Sequence, residues 1–268
     1  MAPRLWRAFA PSRRALSRSL KGVQATFDGL WLGALRPDDL AALDQQFYAS
    51  HGAASDGEAL FAGATHNARG LSDWEAEVVG EHFPRGGRVV VTAAGGGREV
   101  LALAELGFDV SGFEPHPGLV AAGRRLLAER SVTGASLEVC PRDVFPPAAG
   151  ECDAVVVGWG SYIHVQGRRA RVELLREARR RLAPGSPLLV SFWERPADQE
   201  RYFRLVAACA RPVRVARGLA PPELGDTLRD SYVHWFTRAE VHSELADAGF
   251  TVVRYRDRPY AHAVGTAG

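Results

Sequence analysis

Lysine is almost missing: Lys21 stands alone among 33 basic residues, and with so much alanine, glycine and arginine this bias reflects GC-rich coding rather than a functional choice. Cysteine is scarce too. Cys140, Cys152 and Cys209 form no C-x-x-C pair and no zinc spacing, so no metal site is expected and a reduced, cytoplasmic protein is the simple expectation. No apolar run approaches the roughly 20 residues of a membrane span, and a formal charge of +2 lacks the basic excess of a dedicated nucleic-acid binder. What is left is ordinary globular composition, 46% hydrophobic and 24% charged over 268 residues. That suits one large domain, or a core domain behind an N-terminal extension.

The most informative stretch runs from Arg88 to Pro117. Val89-Val90-Val91 is a continuous apolar run, as expected of a parallel strand covered on both faces. Gly95-Gly96-Gly97 follows, where the chain must turn tightly and a ligand can approach bare backbone. Arg98 to Leu106 predicts a helix stopped by Gly107, and Phe108 to Phe113 a second strand ending on the acid Glu114. Strand, glycine turn, helix, strand, acid is the order of a nucleotide-binding βαβ unit: the helix N-terminus attracts an anion and the acid reaches ribose hydroxyls. A dinucleotide fingerprint needs a third glycine where Val100 stands, so a nicotinamide-dependent oxidoreductase is the lesser alternative.

The stretch resembles the S-adenosylmethionine site of class I (Rossmann-like) methyltransferases, whose first motif is an acid, one residue, then G-x-G-x-G. Gly95 and Gly97 match the second and third glycines, whereas Ala93 replaces the first and Val91 holds the acid's place. The resemblance implies a three-layer α/β/α fold with a mostly parallel seven-stranded sheet. It implies a cofactor site of Ala93, Gly95, Gly97 and Glu114, with Glu114 carrying more of the recognition because the first acid is missing. Past the third strand, Asp143 matches the acid that accepts from the adenine amino group, with Val144 or Phe145 flanking the ring; the alternative is an exposed turn aspartate. Past the fourth strand, Cys152 to Gly158, come Trp159, expected in the cofactor site, and then Tyr162 and His164. His164 matches a histidine common at that place in the family, so His164 and Tyr162 are the catalytic candidates; the alternative is a ring that merely closes the cofactor pocket.

Around this core, the sequence divides into a helical cap over residues 1–70 and the main domain over 71–268. Met1 to Lys21 carries Arg4, Arg7, Arg13, Arg14, Arg18 and Lys21 and no acid, with Leu5, Trp6, Phe9 and Leu16 between them. That pattern fits a helical arm, a transit peptide or a membrane-surface helix. Pro37, Asp38 and Asp39 open a helix that His51-Gly52 ends, and Ala53 to Gly70 is expected to be a loop. Phe47, Tyr48, His66 and Trp74 are candidate pocket residues, or core. Ser72 with Glu75 and Thr237 with Glu240 make capping boxes. Between these, Gln166 to Leu182 is a helix whose arginines are expected to face solvent, Leu188 to Trp193 the fifth strand, and Ala210 to Ser231 a proline-punctuated loop. Thr251 to Tyr255 and Tyr260 to Val264 form a closing hairpin. It resembles the reversed seventh strand that separates class I methyltransferases from plain dinucleotide folds.

The implied activity is methyl transfer to oxygen or nitrogen of a small molecule or peptide. A degenerate, non-catalytic scaffold subunit stays open as a rival, since Val91 and Ala93 depart from the motif.

Overall fold

The computed structural model describes residues 20–50 and 61–268. The arginine-rich start, the helix end at His51-Gly52 and the first half of the expected loop lie outside them. Within them the chain begins with two helices, α1 (residues 20–34) and α2 (Pro37–Ser50), then the single turn α3 (Ala64–Asn67) and α4 (Asp73–His82). The alternating core follows as β1 (Arg88–Thr92), α5 (Arg98–Glu105), β2 (Asp109–Glu114), α6 (Pro117–Glu129), β3 (Ala135–Val139), β4 (Ala154–Val157), α7 (Arg168–Arg180) and β5 (Pro187–Ser191). Next come α8 (Glu200–Ala216), a small hairpin of β6 (Asp226–Leu228) and β7 (Tyr232–His234), α9 (Arg238–Asp247), β8 (Phe250–Arg256) and β9 (His262–Ala267).

The main sheet has seven strands in the order β3-β2-β1-β4-β5-β9-β8. The first five pair in parallel, and β9 runs antiparallel to both neighbours, inserted between β5 and β8. The three consecutive valines of β1 are explained by the two-sided cover: Val89 and Val91 face α4, α5 and α6, while Val90 faces the layer of α7 and α9. Chain order reverses between β1 and β4, so their following loops diverge and open a crevice at the carboxyl ends. Thr92 pairs with both Phe113 and Val157, so the glycine turn, Glu114 and Gly158 leave the sheet at one level.

The cap is built on α8 and the small hairpin, with Ala25, Leu32, Leu40, Val206, Ala210 and Tyr232 as its own core. Backbones of α1 and α8 approach closely: a Cβ on Gly29 would sit 2.6 Å from the Val206 carbonyl oxygen, and one on Gly33 2.8 Å from Val213 Cβ. This corrects the loop expected over Ala210 to Ser231. Helix α8 runs through Pro212 to Ala216 because Phe203, Val206 and Ala210 anchor one face, and residues 226–234 then pair as the hairpin.

The arginines of α7 need a second correction. Arg171 is fully buried, donating to Glu244 Oε1 at 2.7 Å and to Glu223 Oε2 at 2.6 Å. A guanidinium taken out of water persists only with such partners, and a run of arginines hides which one is inward.

Candidate active site

The crevice is an open cavity, about 1120 Å³ with the solvent at its mouth included, whose floor is the turn after β1. Ala93, Gly95 and Gly97 all take left-handed backbone, with φ of +48°, +56° and +90°. Ala93 therefore keeps a glycine-like conformation without being glycine, a strain of about 1–2 kcal/mol that the surrounding turn must hold. Each glycine has a different reason to be there. A Cβ on Gly95 would meet nothing within 4 Å and would project into open space beside the cavity. One on Gly96 would collide with the Phe61 carbonyl and the Asn67 amide of the cap. One on Gly97 would face Leu137 and Gly123, at 3.7 and 3.8 Å. Gly97 takes a backbone angle that favours glycine, and it is not among the residues that line the cavity.

Glu114, at the end of β2, is held by two backbone donors: the Gly95 N–H on Oε2 at 2.9 Å and the His116 N–H on Oε1, also at 2.9 Å. Burial pushes its carboxyl above the usual range, with those two N–H groups pulling back. Each oxygen keeps a further lone pair for a ligand in the cavity. Val91, in the place of the motif acid, is buried in the core, but a second carboxylate reaches the cavity from the first turn of α5. This is Glu99, which accepts the Trp159 N–H at 3.0 Å and an Arg98 N–H at 2.9 Å. Burial raises its pKa against the pull of Arg98. Arg98 is itself clamped by Glu75 through two bonds of 2.7 Å, and Glu75 also accepts the Ser72 N–H and hydroxyl, so the capping box of α4 is tied to the glycine turn. Thr92 Oγ1, on the cavity wall, is buried without a partner.

The opposite wall comes from the loop after β3. Asp143 is left-handed, with φ of +57°, and pairs with Arg142 at 3.1 Å. Burial raises the Asp143 carboxyl, with Arg142 working against it. Val144 lines the cavity with its side chain open to it, whereas Phe145 is buried in the α7 layer and takes no part. Arg142 also pairs with Asp44, which reaches down from α2.

Asp44 in turn lies 3.4 Å from His164 Nδ1. That nitrogen is 2.8 Å from the Tyr232 carbonyl of β7, which can only accept, so it carries the proton and leaves Nε2 as the base of the neutral ring. The Tyr48 ring stands edge-on to His164, with centroids 6.2 Å apart, and burial raises its hydroxyl pKa steeply. His66, on α3, lines the cavity with an imidazole pKa lowered by burial and by Arg98. A second, more open hollow, walled by Trp74, Trp159 and Tyr260, adjoins the first and shares His66, Arg98 and Trp159 with it.

The structure therefore gathers Ala93, Gly95, Glu114, Asp143, Val144, Trp159 and His164 at one cavity, with Tyr48 and His66 in its roof. Trp74 lines the second cavity and stacks on His262 at 4.5 Å, and Phe47 sits edge-on to Tyr48. Tyr162 does not belong with them. Its side chain is buried in the α7 layer, stacked on Phe236, and its hydroxyl donates to Glu244 at 2.5 Å. The short 3₁₀ turn Ser161–His164 repeats every three residues, so Ser161 and His164 share the cavity side while Tyr162 and Ile163 turn into the core. Asp44, Glu99 and Arg142 escaped the sequence-based set. Asp44 had one signal, an acid placed four residues from Leu40 and four from Tyr48 on a stripe otherwise turned inward.

No family model and no curated protein matches the chain. Solved structures do. A SAM-dependent methyltransferase of Methanosarcina mazei aligns at 17% identity and a TM-score of 0.59, over 74% of this chain and 98% of its own. The 1,6-didemethyltoxoflavin N1-methyltransferase of Burkholderia thailandensis aligns at 19% and 0.58, over 87% and 91%. An amino pentose methyltransferase of Micromonospora echinaspora aligns at 18% and 0.53, over 76% and 95%. At such identities the likeness speaks for architecture, and the reversed β9 agrees with it: this chain has the class I, Rossmann-like fold of the SAM-dependent methyltransferases.

Proposed function

We propose that this protein transfers a methyl group from S-adenosylmethionine to an oxygen or nitrogen of a small molecule or peptide. One observation carries the reading: the Glu114 carboxylate, fixed by two backbone N–H groups at the end of β2, keeps acceptor capacity toward a cavity floored by bare Gly95. The residues present suit that cofactor. The unpartnered Thr92 hydroxyl and the left-handed turn offer polar atoms where no side chain intrudes. Two of the neighbouring structures were solved with S-adenosylmethionine or S-adenosylhomocysteine bound.

When bound, the cofactor supplies a methyl on a sulfonium, which carries its own leaving group. The protein's work is then alignment and the exclusion of water. Glu114 accepts from the ribose hydroxyls, Asp143 from the adenine amino group with Val144 against the ring, and Gly95 lets backbone lie along the methionine part. Glu99, from α5, supplies near the turn a carboxylate that Val91 cannot. His164 takes the acceptor's proton on Nε2, with Nδ1–H fixed by the Tyr232 carbonyl and the Asp44 carboxylate 3.4 Å away stabilising the imidazolium.

Titration calorimetry with S-adenosylhomocysteine tests the reading. A folded protein that gives no heat is a scaffold rather than an enzyme. Heat with a nicotinamide dinucleotide instead would move it to the oxidoreductases.

A further inference from the structure

The walls of the main cavity carry an excess of negative charge. Among the described residues, Asp44, Glu99, Glu114 and Asp143 line it against two guanidiniums, Arg98 and Arg142. Glu75, which clamps Arg98 from behind, brings this to five carboxylates against two guanidiniums. Four of the five, all but Asp143, are buried. An ionised carboxylate out of water is costly without an opposite charge, so such walls are completed by cations. The cofactor brings one net positive charge, its sulfonium and ammonium set against its own carboxylate, and meets the excess only in part. Two observations put the unmet charge at the roof. Asp44 is 5% exposed, and while its Oδ2 is taken by Arg142, its Oδ1 has no hydrogen-bond partner and stands 3.4 Å from His164 Nδ1. Tyr48, edge-on to His164, has its hydroxyl pKa raised by burial first and then by Asp44 and Glu114.

We infer that the methyl acceptor is an amine, which arrives as an ammonium at the roof beside Asp44, Tyr48 and His164. The inference rests on the methyl-transfer reading and narrows it from oxygen or nitrogen to nitrogen. A hydroxyl must gain oxyanion character to attack, in the same field that keeps the Tyr48 hydroxyl protonated. An amine attacks as a neutral group. Its ammonium first gives one proton to His164 Nε2, beside the Asp44 carboxylate. The nitrogen lone pair then forms the bond to the methyl carbon, and the bond from that carbon to sulfur breaks with its electron pair left on sulfur. The positive charge passes from sulfur to the methylated nitrogen and stays within the acidic walls. Methylating an oxyanion would instead cancel that charge and leave the carboxylates without it.

The test is titration calorimetry of the full chain near neutral pH with two probes. S-adenosylhomocysteine is neutral at sulfur, whereas sinefungin carries an ammonium where the transferred methyl would stand, next to the incoming nitrogen. Sinefungin is expected to bind at least about tenfold more tightly, as an added positive charge among unpaired carboxylates should. In Asp44→Asn the ratio should fall to about threefold or less, with S-adenosylhomocysteine affinity kept and a cooperative melt as the check on folding. Heat from S-adenosylhomocysteine with equal or weaker binding of sinefungin overturns the inference and leaves the methyl-transfer reading standing. A ratio undiminished in the folded variant overturns it too, because the charge that selects the ammonium would then lie elsewhere. If the variant does not fold, the wild-type ratio decides alone. No heat from either probe removes the methyl-transfer reading, and this inference with it.

Discussion

Replacing Glu114 by glutamine is a nearly isosteric change with a calculable cost. As a carboxylate, Glu114 accepts the Gly95 and His116 N–H groups on separate oxygens, both at 2.9 Å. A glutamine has one oxygen, so its NH₂ must face one of those backbone donors. One buried N–H then loses its partner, at about 1–3 kcal/mol. The same NH₂ cannot accept from a ribose hydroxyl, which removes one charge-assisted bond of about 1.5–3 kcal/mol. At about 1.4 kcal/mol per decade, S-adenosylhomocysteine should bind roughly 10- to 100-fold more weakly. Calorimetry measures the affinity and a thermal melt measures the fold. Glu114→Ala should do at least as much to affinity. A dissociation constant within twofold of wild type in a folded Glu114→Gln protein refutes the reasoning, because the ribose would then lie elsewhere.

Three further outcomes follow from the same geometry. Tyr162→Phe should cost about 1–3 kcal/mol in urea unfolding, through the lost bond to buried Glu244, and leave single-turnover methyl transfer intact; His164→Ala should do the reverse, slowing transfer by roughly 10²–10⁴-fold with cofactor affinity kept. Arg171→Met strands Glu244 in the core and should cost about 3–5 kcal/mol, and adding Glu244→Gln should recover much of it; a single variant as stable as wild type would mean water reaches the pair. The pKa values of His66 and His262 are both lowered, by burial first. The unfolded chain takes up their protons below about pH 6.5 while the folded one resists, so this stability is full above that pH and is lost as pH falls through the folded values. The melting temperature should drop from pH 7.5 to 5.5, and less in a His66→Asn, His262→Asn variant; equal slopes would assign the drop to other groups.

Locally encoded features were legible from the sequence. The valines of β1, the acid ending β2, the capping boxes at Ser72 and Thr237 and the left-handed stop at Gly107 follow from residue type and short spacing, and the structure contains each. The site's floor came with them, since one βαβ unit carries it. Its roof did not. Asp44 and Arg142 are 98 positions apart, and no local period or cap signals a pairing that only the seating of α2 over the β3 loop creates. Glu99 was hidden beside the glycine turn by its apolar neighbours, Val100 and Leu101. Arg171 was hidden among like residues, and Gly97 by a motif that does not say whether a glycine serves ligand, neighbour or backbone angle.

The insertion of β9 between β5 and β8 has a consequence for synthesis. The strand made last among those described is an interior one. Until His262 to Ala267 leave the ribosome, β5 presents an unpaired edge of Pro187, Leu188, Leu189 and Val190, all destined to be buried. Synthesis proceeds at about 5–20 residues per second and domains fold as units, so until β9 is made the apolar edge of β5 lacks its partner and is able to pair with other chains. A ribosome stalled before residue 262 therefore holds a sticky nascent chain, even though its glycine turn and Glu114 have already been made.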